Sequence, residues 1–189
     1  MTVKIAIFAS GSGSNAENIV HYFEKDKRFD FPVIISNKKD AFVHQRAKKL
    51  NIPSVTFSKN DFNDGSKIIS LLLENKIDCI VLAGFLLKVP SVLIQKFPNK
   101  IINIHPALLP KYGGKGMYGD SVHEAVVNAG ESESGISIHY VNENYDEGNI
   151  IFQTKCEVLP GDVADDVANK VHALEYEYFP KVINDLWGF

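Results

Sequence analysis

The sequence predicts an α/β fold: a Rossmann-like, doubly wound and mostly parallel sheet with helices on both faces, followed by a C-terminal antiparallel hairpin and a long C-terminal helix. Three observations predict it. Short apolar runs alternate with helical patterns through residues 1–100, as right-handed βαβ units do. The first run leads directly into Ser10-Gly-Ser-Gly-Ser-Asn15 and a helical pattern, which is strand, glycine loop, helix. Beyond residue 130 two runs alternate at period two, and a long helical stretch ends the chain. A length of 189 residues with 45% hydrophobic residues suits one domain. It reads as a nucleotide- or phosphate-binding half over 1–100 and a half over 101–189 that holds the candidate catalytic strand, the hairpin and the last helix.

The first strand, over 3–9, is apolar except for Lys4. Its loop brings two glycines to the start of a helix over 16–25. Glycines let backbone N–H groups close on an anion, and a helix N-terminus favours negative charge, so the loop fits a phosphate. An ordinary βα turn with Ser14 or Asn15 as N-cap fits the same residues. Strand 31–36, helix 41–50, strand 53–57, helix 62–75 and strand 78–83 repeat the alternation. A loop over 84–90 ends in Pro90, and a short helix over 91–97 takes Ser91 as its cap.

The next strand carries the candidate chemistry. Residues 101–104 form an apolar run of the kind buried on both sheet faces, and Pro106, with no N–H for a ladder, stops it. Asn103 and His105 are two apart and share a face. They point beyond the strand's carboxyl end, where open α/β sheets bind ligands. Either residue alone reads first as a satisfied loop anchor; together, at the end of an otherwise apolar strand, they read equally as a site. Residues 111–119 hold four glycines and two lysines, a mobile loop by composition. A helix covers 120–128, and runs over 135–141 and 149–158 flank an acidic hairpin loop. The last helix spans 163–187, with a kink at Pro180.

With Asp146 of the acidic loop beside His105, the carboxylate favours the imidazolium and raises the histidine's pKa. A histidinium next to an amide donor can stabilise an oxyanion and pass on a proton. That is acyl-transfer equipment without a covalent nucleophile, and no Gly-x-Ser-x-Gly elbow occurs. No His-Glu-x-x-His or cysteine cluster points to a metal. Cys79 and Cys156 read as buried thiols in a reducing cytoplasm. A net charge of −3 with mixed signs and no basic stripe speaks against nucleic acid. No apolar run is long enough to span a membrane, and a first strand at Val3 leaves no room for a signal peptide. The reading is a cytoplasmic protein.

His139 alternates with Ile138 in the hairpin and faces crevice, core or surface. His172 and Glu175 read as an i,i+3 pair on a helix surface. His21, His44 and His123 read as solvated helix positions, and Lys38 and Lys39 as a solvated turn. Gly11-x-Gly13-x-x-Ala16 also fits the dinucleotide fingerprint. The second strand ends in Ser36-Asn-Lys-Lys39 without the acid that holds a ribose. That disfavours NAD and leaves an NADP-binding protein open. A non-catalytic nucleotide-binding module is a third reading, and it leaves Asn103, His105 and Asp146 without a task.

Gly11-Ser-Gly-Ser-Asn15, Ser36-Asn-Lys38, Leu82-Ala-Gly-Phe85, Asn103-Ile-His-Pro-Ala-Leu-Leu-Pro-Lys-Tyr112, His139-Tyr-Val141, Asp146-Glu-Gly148 and Glu175-Tyr-Glu-Tyr-Phe-Pro180 occur together. In this combination, over nearly its whole length, the chain resembles the glycinamide ribonucleotide formyltransferase family, folate-dependent enzymes of purine synthesis. Asn-x-His-Pro with Leu-Leu-Pro alone marks only the wider formyltransferase superfamily. The resemblance implies that Gly13, Ser14 and Asn15 hold the substrate's phosphate and that Glu175 contacts its ribose. It implies a folate pocket from Leu86, Leu87, Lys88 and Val89 with Asn103, Tyr140, Val141 and the backbone of the 140–146 loop. Asn103 and His105 attend the formyl group, and Asp146 tunes His105. The implied reaction is direct attack of the glycyl amine on 10-formyltetrahydrofolate, without a metal, in a monomer or homodimer.

Three places depart from the family pattern. Leu86-Leu-Lys88 stands where Met-Arg often follows Ala-Gly-Phe. Gly65 stands where a basic residue is expected, with Lys67 as the stand-in. Gly113-Gly-Lys-Gly-Met-Tyr-Gly119 replaces a Pro-Gly loop and either closes over the site or alters oligomerisation. Formyltetrahydrofolate deformylase shares Asn-x-His and Asp but usually carries a further N-terminal domain. Methionyl-tRNA formyltransferase needs an RNA-binding extension. The chain has room for neither, and the phosphate loop favours the ribonucleotide substrate.

Overall fold

The computed structural model describes residues 2–189. Its strands are β1 (Val3–Phe8), β2 (Phe29–Ser36), β3 (Ser54–Thr56), β4 (Cys79–Leu82), β5 (Ile101–His105), β6 (Glu133–Tyr140) and β7 (Ile150–Glu157). Its helices are α1 (Ser14–Tyr22), α2 (Val43–Lys49), α3 (Lys59–Asp64), α4 (Ser66–Glu74), α5 (Ser91–Lys96), α6 (Asp120–Asn128) and α7 (Ala164–Trp187). Among the described residues the strands form one sheet in the order β3-β2-β1-β4-β5-β6-β7. β1 to β5 are parallel; β6 turns back against β5, and β7 against β6. The chain winds outward from β1 through β3 and returns to β4 on the other side of β1. The strand order reverses there, which opens a crevice at the carboxyl ends of β1 and β4.

Alternate strand residues feed opposite faces. Ile5, Ile7, Ile34, Val81, Ile102 and Ile104 pack with residues of α1, α2, α6 and α7. Ala6, Phe8, Val33, Ile35, Ile80 and Leu82 pack with residues of α3, α4 and α5. On the second face Phe8 meets Phe62 and Phe85 edge-on, at 6.1 and 5.5 Å between ring centroids. Each such pair adds about 0.5–1.5 kcal/mol beyond its buried area, and Phe85 is thereby anchored at the crevice.

Several boundaries differ from the sequence reading, each for a local reason. β2 begins two residues early and contains Pro32. Its pairing slips between Lys4 and Ala6, so that 31 and 32 share the place opposite Ile5. The bulge absorbs a residue that cannot donate to the ladder. The single helix expected over 62–75 is two, divided at Gly65, which is left-handed at φ 76°. A reciprocal capping box between Ser58 and Asp61 starts the first of them. α1 starts at Ser14 behind Gly13, so neither Ser14 nor Asn15 is the N-cap. Ser91 is the first helical residue of α5 rather than its cap.

α7 continues through Pro180. That proline has no N–H for the carbonyl of Tyr176, and Asn18 Nδ2 of α1 donates to it at 2.9 Å instead. His44, read as solvated, is half-buried: its ring bonds Ser54 Oγ at 2.9 Å, Thr56 Oγ1 at 3.0 Å and Lys38 O at 3.1 Å. Cys79 is buried, and burial pushes its thiol up to about 12. Cys156 is only half-buried. No helix among the described residues is long and apolar enough to cross a membrane.

Candidate active site

The loop after β1 is a cradle of free donors. From 11 to 16, no backbone N–H has an acceptor among the described residues. Gly13 is left-handed at φ 73°, and a Cβ there would lie 2.3 Å from Val43 Cγ2. Conformation and space both require glycine. Ser10 ties this loop to its neighbours: its hydroxyl donates to Asn37 Oδ1 at 2.5 Å and accepts from Leu86 N–H at 2.9 Å. The cradle lines a cavity of about 560 Å³. Free N–H groups at a helix N-terminus are anion-binding groups.

The wall beside the cradle comes from α6 and α7. Glu175 is only 4% exposed. Its Oε2 accepts from Asn15 Nδ2 at 2.9 Å and lies 2.9 Å from His172 Nδ1. What reads as a surface pair is therefore a polar cluster that joins α1 to α7 inside the cavity. The hydrogen bond to Glu175 raises the pKa of His172. His123, expected in solvent, is 2% exposed and lines the same cavity. Its Nδ1 and Asn15 Oδ1 are buried without a partner among the described residues. Burial, with His172 beside it, lowers the pKa of His123.

Asn103 and His105 line the same cavity, with Asp146. Behind them Ser137 Oγ donates to Ala107 O at 2.6 Å and accepts from Leu109 N–H at 2.9 Å. That pins the turn after β5. His105 is 3% exposed. Its Nε2 donates to Tyr112 O at 2.7 Å, which leaves the Nδ1 lone pair 3.6 Å from Asp146 Oδ2. Asp146 stands beside His105 as supposed, yet the histidine's pKa is lowered. Burial outweighs the Asp146 charge and the Tyr112 carbonyl, which act the other way. The expected rise is thus overturned, and His105 rests neutral.

Burial also pushes Asp146 upward, but His139, His105 and the Gly114 N–H, 2.9 Å from Oδ2, hold it below the usual carboxylate range. Asp146 is left-handed at φ 55°, a conformation Asp tolerates better than most residues. Gly148 lets that loop close: a Cβ there would lie 1.6 Å from Tyr140 O.

His139, left open by the sequence, completes the group. It pairs with Asn103 across β5 and β6. Its Nδ1 lies 2.9 Å from Tyr140 O, a carbonyl that only accepts, so Nδ1 carries the proton. Its Nε2 then accepts from Asn103 Nδ2 at 3.1 Å. Asn103 keeps a second N–H. Chemically, the site offers an amide donor and a neutral imidazole. On taking a proton, both nitrogens of that imidazole find acceptors in Tyr112 O and Asp146.

A second, shallow cleft of about 50 Å³ shares Asn103 and Asp146 and is lined by Leu87, Lys88, Val89 and Val141. Leu86 lines the larger cavity. The Tyr140 side chain packs on the core face under α7, so only its backbone is near the site. Lys67 lines neither cavity; its ammonium is 2.7 Å from Asp61. The 113–119 loop walls the larger cavity through Gly114, Lys115 and Tyr118.

The buried histidines set an acid limit on stability. His105 and His123 have lowered pKa values. Their contribution is present above the unfolded value of about 6.5 and is lost as pH falls from there through the folded values. His172 is raised and has the opposite sign, losing its contribution as pH rises. We expect the Tm of His123→Gln to fall less than that of the parent between pH about 7.5 and about 5.5, across that window. Calorimetry over pH checks this, and parallel curves would contradict it.

A family model for Formyl transferase matches residues 3–183. The chain is 39% identical over 187 residues to "Phosphoribosylglycinamide formyltransferase, chloroplastic" of Arabidopsis thaliana, covering 95% of this chain and 64% of that protein. It thus spans less than two thirds of that relative's length. It is 35% identical over 191 residues to the phosphoribosylglycinamide formyltransferase of Bacillus subtilis, covering 98% of this chain and 95% of that one. The crystal structure of glycinamide ribonucleotide transformylase 1 from Geobacillus kaustophilus superposes with a TM-score of 0.91 at 32% identity, covering 100% of each chain.

Proposed function

The chain belongs to the formyl transferase family, on the branch of the phosphoribosylglycinamide formyltransferases, and from that membership we propose that it transfers a formyl group from 10-formyltetrahydrofolate to the glycyl amine of glycinamide ribonucleotide. The products are N-formylglycinamide ribonucleotide and tetrahydrofolate, in purine biosynthesis. One observation carries the reading: a cradle of free N–H groups and the Asn103, His105, Asp146 group line the same cavity. A substrate with a phosphate at one end and an amine at the other fits that layout. Gly13, Ser14 and Asn15 take the phosphate, and Glu175 takes ribose hydroxyls. The folate approaches through the cleft at Leu87, Lys88, Val89 and Val141, whose side chains shift to admit a pterin.

The chemistry uses the resting protonation states. The amine attacks the formyl carbon, and a C–N bond forms while charge collects on the formyl oxygen. The free N–H of Asn103 stabilises that charge. Neutral His105 accepts the amine proton, directly or through water. As an imidazolium held between Tyr112 O and Asp146, it adds its charge to the stabilisation. Cleavage of the bond to N10 follows as the proton passes there.

Turnover with a 10-formylfolate analogue, with and without glycinamide ribonucleotide, tests the reading. Release of deformylated folate only with the ribonucleotide is expected. Equal release without it makes the protein a hydrolase, and no release in either case overturns the transfer. Asn15→Ala removes the amide between cradle and Glu175. It is expected to raise KM for the ribonucleotide about tenfold, the loss of a hydrogen bond to a charged group, with kcat little changed. An unaltered KM moves the phosphate elsewhere.

A further inference from the structure

Arg46 has no part in the reaction above and lines neither cavity, yet it holds the anion cradle from behind. α2 packs against the loop after β1. Two of its residues, about one turn apart and so on one face, take the loop's carbonyls. Val43 N–H donates to Gly11 O at 3.1 Å, and Arg46 Nε donates to Ser12 O at 3.0 Å. In a trans peptide the N–H points opposite to the C=O. With both carbonyls turned toward α2, the N–H groups of Ser12 and Gly13 turn away from it. Both residues line the cavity, and neither N–H has an acceptor among the described residues.

Arg46 also pairs with Glu17, which lies in the first turn of α1. An unpaired carboxylate there would repel an anion bound at the same helix end. The guanidinium sits 5.2 Å from the centre of the Phe42 ring, which helps fix it between its two partners.

We propose that Arg46 is a positioning residue for phosphate. It holds the Ser12 carbonyl outward and neutralises Glu17, and so presents the cradle's N–H groups to the anion without touching it. The proposal rests on the phosphate reading of the cradle, and the test separates the two. The probe is ribose 5-phosphate, titrated calorimetrically beside steady-state kinetics in glycinamide ribonucleotide. Arg46→Ala is expected to weaken ribose 5-phosphate binding and raise KM, each by about tenfold or more, with kcat unchanged.

Arg46→Lys restores a charge on a flexible stem but not the planar fork, so its affinity should fall between the two. Adding Glu17→Gln to Arg46→Ala should recover the charge part of the loss and leave the rest. Parent-like affinity in Arg46→Ala overturns the proposal. So does full recovery in the double variant, which would make Arg46 a counter-charge only. If Arg46→Ala does not fold, Arg46→Lys carries the comparison, and parent-like affinity there overturns the proposal. If the parent protein itself does not bind ribose 5-phosphate, the phosphate reading fails and takes the proposal with it.

Discussion

His105→Ala is expected to lower kcat by about 10²- to 10⁴-fold, the range for losing a general acid–base group together with its charge stabilisation. The protein should stay folded. The change leaves Tyr112 O without its donor, a cost of about 1–3 kcal/mol, and opens a small gap at the end of β5. Neither reaches the sheet core, and circular dichroism checks that. Asp146→Asn is the sharper of the pair. It keeps the volume and can keep an acceptor for the Gly114 N–H, but it removes the charge that opposes the burial of His105. The histidine's pKa should fall further and the imidazolium should become harder to form. The loss should therefore appear in kcat, with KM for the ribonucleotide little altered. Near-normal turnover in both variants would remove the mechanism.

The path from residues to this site was legible where local rules decide. An apolar run stopped by Pro106 located β5 and placed Asn103 and His105 at its end. A strand followed by two spaced glycines located the cradle at the start of α1. Three features lay beyond local rules. The side to which His139 points depends on the register of β6 against β5, and a period-two run does not say which face is inward. His123 is buried because α6 lies against α7, not because of its neighbours in sequence. The direction of the His105 pKa is a balance between burial and a carboxylate brought from some forty residues away. Sequence can supply the carboxylate but not the depth. Gly65 divides a helix that its apolar spacing would carry through, because Ser58 and Asp61 start a separate, shorter one.

Gly13→Ala is the substitution for which conformation and function should fail together. Gly13 is the left-handed N-cap of α1, where an L-residue costs about 1–2 kcal/mol. Its Cβ would meet Val43 at Cγ2, Cβ and the backbone Cα, at 2.3, 2.6 and 2.9 Å. Rotating the valine side chain cannot relieve the last of these, so α1 and α2 must separate. Overpacking of this kind costs about 1–3 kcal/mol. The sum is about 2–5 kcal/mol, a Tm lower by about 4–20 °C for a chain of this size. Separation of α2 also releases the carbonyls that Val43 and Arg46 hold, so the Ser12 and Gly13 N–H groups lose their common direction. KM for the ribonucleotide should then rise by more than in Asn15→Ala, because several donors are lost rather than one. A Tm within a degree of the parent would mean that the loop has room the structure does not show. A lowered Tm with unchanged KM would mean that the cradle is only a turn, and the phosphate would have to bind elsewhere.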